Sequence, residues 1–152
     1  MEQKYDSTEN TKKHIRRVQE LLLDVQLNLS RRAAVHDQSK LESPEKEAAD
    51  FIDPELFKLK YGTPEYEKCL SQVSEIRKLH FSKNRHHMEA HINGTKDMSL
   101  LDLIEFLADG RAASERPTGT TPKDGLEYNI KKYNISDELA AIFRNTQREM
   151  CW

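Results

Sequence analysis

An all-α fold is predicted by three observations. Apolar residues recur in steps of three and four along long stretches, the five prolines and five glycines fall at apparent helix boundaries, and β-branched runs are few. A length of 152 residues suits one domain, which would bury about two-thirds of the surface its unfolded chain exposes. Hydrophobic residues make up 36 % and charged residues 33 %, so the core must be compact and the surface highly charged. The expected division is a flexible N-terminus over residues 1–10 and a single all-α domain over 11–152.

The elements follow in order. From about Thr11, Ile15, Val18, Leu22, Val25 and Leu29 mark one side of an amphipathic helix. His14 shares the side of Val18, Leu21 and Val25 and is expected to face inward. Ser30-Arg31-Arg32 reads as a junction, and Ala33 to Leu41 as a short second helix that carries His36 and Asp37. Ser43-Pro44 has the chemistry of a helix start: a hydroxyl cap, a proline, then Glu45 and Glu47. Pro54 is expected to interrupt that element, and Tyr61-Gly62 precedes another break. Thr63-Pro64-Glu65 repeats the starting chemistry for a helix that buries Tyr66, Cys69 or Leu70, Val73 and Ile76.

The next residue on that stripe is His80. Asn84-Arg85-His86-His87-Met88-Glu89 then leaves the helix for a loop that ends near Asn93-Gly94. Asp97 or Ser99 caps a helix with Leu100, Leu103, Ile104 and Leu107 on its apolar stripe and Asp102, Glu105 and Asp109 on another side. Arg111, Arg116 and Pro117 end it, and Thr118-Gly119-Thr120 is a loop. Thr121-Pro122 opens a helix that runs through Tyr133. Ser136-Asp137-Glu138 caps the last one, whose Leu139, Ile142 and Phe143 pack on the core, with Trp152 as a docked terminus.

Composition excludes several function classes. The net charge of −2, from 24 Lys and Arg against 26 Asp and Glu, argues against a general nucleic-acid-coating protein. No apolar run approaches the ~20 residues needed to span a bilayer, and no signal-peptide core is present. Cys69 and Cys151 show neither CxxC nor zinc-finger spacing, so a reducing cytoplasm is the expected setting.

The chemistry concentrates in histidines and acids. Val35-His36-Asp37-Gln38-Ser39-Lys40 sets an imidazole beside a carboxylate, with an ammonium three residues on. Asp37 has two oxygens and could bridge two ions, and Lys40 could reach a phosphoryl oxygen. His80 extends an apolar stripe, so it is either a buried, hydrogen-bonded histidine or a ligand. His80, His86 and His87 within eight positions are hard to satisfy either as solvated surface or as core. Asp109, flanked by Leu107-Ala108 and Gly110, is a poorly exposed carboxylate that needs a cation. The donors collected in this way are His14, His36, Asp37, His80, His86, His87 and Asp109. Nitrogen and oxygen donors without cysteine suit Mn²⁺, Fe²⁺, Co²⁺, Ni²⁺ or Zn²⁺, with two ions expected to share Asp37. Two ions can orient a phosphate and generate hydroxide at neutral pH.

The order His14, His36-Asp37, Asp109 resembles the HD-domain superfamily of metal-dependent phosphohydrolases, and Lys40 three residues after the pair resembles its dinuclear branch. His86-His87-Met88-Glu89 is similar to the His-His step of cyclic-dinucleotide phosphodiesterases in that branch, without the Gly-Tyr-Pro motif that follows there. Residues 98–109 look like the final-ligand helix of dinucleoside-polyphosphate hydrolases. As a whole, the chain also resembles a small uncharacterised family of bacteriophages and bacteria, through His-Asp-x-Ser-Lys at 36–40, Asn84-Arg85-His86-His87 and the helix with Ala112-Ala113.

The resemblance implies an HD-like helical bundle that hydrolyses a phosphoester of a small nucleotide or related metabolite. His14, His36, Asp37 and Asp109 would hold one ion. Asp37, His86 and His87 would hold the other, with His80 or else Glu47 or Glu45 completing it. Asp37 and Lys40 would be catalytic, and Arg85, Arg111 and Arg116 would clamp phosphate. The alternatives are a di-iron oxygenase on the same kind of bundle and a non-catalytic phage protein that binds a host partner in the host cytoplasm. A homodimer is left open.

Overall fold

Seven α-helices and three short 3-10 turns, with no strand, make up the secondary structure of the described residues. The fold is all-α, as the sequence predicts. The computed structural model of the protein describes residues 5–116 and 119–152. The expectations that fall on residues 1–4, Pro117 and Thr118 lie outside the described residues. Among the described residues, no helix is long and apolar enough to cross a membrane. The chain divides into two compact units, one ending at His36 and one spanning Asp37–Trp152.

The first unit is essentially α1 (Thr8–Val35). Asp6 Oδ1 accepts from the Thr8 backbone N–H at 2.9 Å and from the Thr8 hydroxyl at 2.6 Å, so helix begins within the stretch expected to fray. The expected junction at Ser30-Arg31-Arg32 is absent. No glycine or proline occurs between Thr8 and Val35, and Ala33 and Ala34 are the best of helix formers, so the helix runs on. It ends where His36 becomes extended (φ −52°, ψ 124°) and Asp37 adopts a left-handed φ of 54°. No residue of α1 is buried.

The second unit begins with a 3-10 turn at Gln38–Leu41, followed by α2 (Glu45–Leu56), α3 (Pro64–Ser71) and α4 (Ser74–Lys83). The Ser43 hydroxyl does not cap α2; the Ser43-Pro44 peptide is cis, and the helix starts at Glu45. Pro54 lies inside α2 instead of ending it. Ile52 and Leu56, on either side of that proline, pack on Tyr66 and Cys69 of α3, and this contact holds the helix across the missing N–H. Thr63 caps α3 by accepting from Tyr66 N–H. The single helix expected from Pro64 to His80 is two. Gln72 and Val73 donate to Cys69 and Leu70 in 3-10 fashion, which closes α3 and reorients α4.

The larger core lies among α5 (Leu100–Glu115), α6 (Pro122–Lys132) and α7 (Asp137–Glu149). Capping boxes start α5 (Ser99 with Asp102) and α6 (Thr121 with Asp124), and Ser136 caps α7. Leu103, Phe106 and Leu107 of α5 meet Leu126, Ala140 and Phe143, with Trp152 packed at the edge. Leu100, Ile104 and Ile142, expected in the core, are exposed. In α5 the inward stripe falls on Leu103, Phe106 and Leu107. Gly125 lets α6 approach α5 closely, since a Cβ there would sit 2.7 Å from Ser114 Cβ.

Candidate metal centre

Four donor residues of the second unit converge although they come from separate segments. Asp37 opens the 3-10 turn, His80 lies near the end of α4, and His86 and His87 follow in the loop after it. Each offers one ligand atom, and these atoms all lie within 4.8 Å of one another. His80 Nε2 is 2.9 Å from His87 Nε2 and 3.2 Å from Asp37 Oδ1. His86 Nε2 is 3.5 Å from that same oxygen.

The local chain explains the convergence. The left-handed backbone of Asp37 turns its carboxylate out of helical register, and Asn84 Nδ2 donates to the His80 carbonyl at 2.8 Å, closing α4. The backbone N–H of His87 then donates to the carbonyl of Asn84, folding the loop back so that His86 and His87 face His80.

The far side of two rings is held by carboxylates. His80 Nδ1 meets Glu45 Oε2 at 2.7 Å, and His86 Nδ1 meets Glu105 Oε1 at 3.3 Å. Such pairing fixes ring orientation and raises the basicity of the other nitrogen, as in carboxylate–histidine–metal arrangements. The Ser39 hydroxyl donates to Glu45 Oε2 at 2.8 Å and so steadies this support. Burial, reinforced by the neighbouring His86, pushes the His87 imidazole down to about 3. At neutral pH His87 is therefore an uncharged ring, the form that binds cations.

The structure sorts the residues expected from the sequence. Lys40 donates to Asp37 Oδ2 at 2.6 Å. Asp109 lines the same cavity as His80 and His87, and its charge reaches His87. Glu47 is exposed, while Glu45 is buried behind His80, so neither takes the place of His80. His14 is exposed on α1. His14 on α1 and His36 at its C-terminal cap stand 22 residues apart with an uninterrupted helix between them, about 33 Å along its axis, so one chain cannot bring both to one ion. The expected first ion, held by both, is corrected on that ground; the uninterrupted α1 is the physical reason.

The three arginines also separate. The Arg85 guanidinium is largely exposed and donates to Asp102 Oδ2 at 3.3 Å. Arg111 pairs with Glu115 one turn on. Only Arg116 of the three lines the cavity beside the imidazoles, with its guanidinium over the Phe57 ring. Sequence reasoning missed Arg77 and Lys132, which line that cavity as well. The spacing of Arg77 one helical turn before His80 was the available signal.

The cavity itself has a volume of about 210 Å³ and a largely apolar wall, to which Ile52, Leu56, Tyr61 and Tyr66 contribute along with His80 and His87. Burial pushes the Tyr66 phenol up to about 12 and raises that of Tyr61, so both hydroxyls stay protonated. Tyr61 donates to Asn129 Oδ1 at 3.3 Å.

Comparison with known proteins gives one match. The model of a family described as "Family of unknown function (DUF5662)" matches residues 3–149. No curated protein and no solved structure matches the chain.

Proposed function

The chain belongs to this family of unknown function, DUF5662, and for it we propose a metal-dependent phosphohydrolase acting on a small nucleotide or related phosphoester. The observation that carries the reading is the convergence of Asp37, His80, His86 and His87, with Glu45 and Glu105 behind two of the rings. Three imidazoles and a carboxylate suit a divalent transition ion such as Mn²⁺, Fe²⁺, Co²⁺, Ni²⁺ or Zn²⁺. The donor set fits such an ion, because each of the four residues presents one ligand atom and these atoms all lie within 4.8 Å of one another. His36, the chain neighbour of Asp37, and Asp109 are the sequence's candidates for a second ion shared through Asp37.

A bound divalent ion supplies Lewis acidity toward a phosphoryl oxygen and acidifies water. The chain's own groups do the rest. Lys40, held on Asp37, places a positive charge where a phosphoryl group would approach the donors. Arg77, Arg116 and Lys132 line the cavity and can neutralise further phosphate charge. The apolar and aromatic wall receives the organic part of the ester and excludes water from it.

Metal analysis of protein purified without added ions, followed by a panel of nucleotides, cyclic nucleotides and simple phosphoesters, tests the reading. The expected result is bound transition metal and turnover that both disappear in Asp37→Ala. Undiminished turnover in that variant overturns it. So does iron with oxygen uptake, which belongs to an oxygenase, or metal that raises the melting temperature with no turnover, which belongs to a structural ion.

A further inference from the structure

Helix α1 carries an apolar stripe that its own unit leaves uncovered. Ile15, Val18, Leu22, Val25 and Leu29 advance in alternate steps of three and four, the spacing of a two-stranded coiled-coil seam. Ile15, Val18, Leu22 and Val25 are all exposed, Leu22 by 63 %. The helix is 28 residues long, about 42 Å, far more than a frayed arm needs.

The positions beside the seam identify what would cover it. Between Ile15 and Arg32 they are Gln19, Gln26 and Ala33 on one side and Leu21 and Asn28 on the other, all uncharged, with Lys12 and His14 flanking only the first turn. Of the charged residues, Lys13, Arg16, Arg17, Glu20, Asp24 and Arg31 lie on the opposite face. A helix made for a lipid surface or a polyanion carries a polar face dominated by Lys and Arg, whereas that of α1 mixes Lys13, Arg16 and Arg17 with Glu20 and Asp24. A helix made for a different coiled-coil partner sets charges beside the seam to select it. Neutral edges suit a second copy, because identical strands then meet without like charges.

We propose that α1 pairs antiparallel with α1 of a second copy. Direction follows from Arg32, which continues the seam after Leu29. A parallel pair would set Arg32 against Arg32 and the basic Lys12-Lys13 and Arg16-Arg17 steps side by side. In the antiparallel pair the layers are Leu22 on Val25, Val18 on Leu29, and Ile15 on the aliphatic stem of Arg32. Two such helices in contact along most of their length bury on the order of 1,200 Å², the low end for stable complexes. The same register leaves His14 of each copy within one helical turn of His36 of the other. It thereby gives His14 a neighbour that its own straight helix denies it.

Single-cysteine variants read both pairing and direction. Val18→Cys and Leu29→Cys, each made with Cys151→Ser so that only the buried Cys69 remains, are expressed alone and together with distinguishable tags. Light scattering of the unmodified chain should give twice the mass of one chain. On oxidation, the co-expressed pair should form a mixed disulfide dimer, while neither variant links to itself, since like positions lie about 16 Å apart in this register. A single-chain mass overturns the proposal, as does self-linking of either variant, which marks a parallel pair. None of these readouts depends on metal or turnover, so they stand or fall apart from the proposed hydrolysis.

Discussion

Glu45 Oε2 and His80 Nδ1 lie 2.7 Å apart in the interior of the second unit, with 5 % of each residue exposed. A carboxylate in that position tunes a ring from behind and does not touch what the ring holds. Glu45→Gln keeps the size and a hydrogen-bonding oxygen but loses the charge. Affinity for Zn²⁺ or Mn²⁺ should fall roughly 10–100-fold, measured by competition with a chelating dye. An unchanged affinity would mean that Glu45 only fills space.

Asp37 combines a candidate ligand with a left-handed backbone, φ 54°. Replacing it by glycine removes the carboxylate and keeps the backbone comfortable, whereas alanine adds strain of about 1 kcal/mol. Asp37→Gly and Asp37→Ala should therefore lose metal equally, yet in chelator the alanine variant should melt lower. Thermal melts with parallel metal analysis distinguish the two effects.

Chelation should lower the melting temperature of the whole chain. An ion present at a hundred times its dissociation constant contributes about 2.7 kcal/mol to stability. For a chain of this size that corresponds to a fall of roughly 5–10 °C after dialysis against EDTA. Differential scanning calorimetry with and without re-added Zn²⁺ or Mn²⁺ checks it, and a melt insensitive to both would count against a metal centre.

Gly62 sits at φ +76° with the Tyr128 ring directly against it, so an added Cβ would come within 2.5 Å of that ring. Tyr128 also donates to Glu67 Oε1 and cannot swing away freely. Gly62→Ala should destabilise by roughly 2 kcal/mol, read from urea denaturation. The activity per folded molecule should be retained.

Much of this arrangement was legible in the chain before folding was considered. The caps Thr63, Ser99, Thr121 and Ser136 all begin helices, because a side-chain acceptor three residues before a free N–H acts locally. The crowding of His80, His86 and His87 also pointed to one place, since a short loop cannot carry them far apart. What escaped the sequence depends on distant partners. Whether Pro54 ends α2 is decided by the packing of Ile52 and Leu56 on α3. Arg85 looked like a phosphate clamp until Asp102, seventeen residues on, accounted for it. His14 shared a side with apolar residues, and periodicity could not reveal that the helix beneath it runs unbroken to Val35.

The donors on Asp37 and His87 are separated by half a hundred residues of chain, and both cysteines are free. A cation gripped by these side chains would close that long loop as a covalent cross-link does, subtracting entropy from the unfolded ensemble. Unlike a disulfide, such a fastening opens when the ion is withdrawn. The folded lifetime of the second unit would then follow the supply of metal around it.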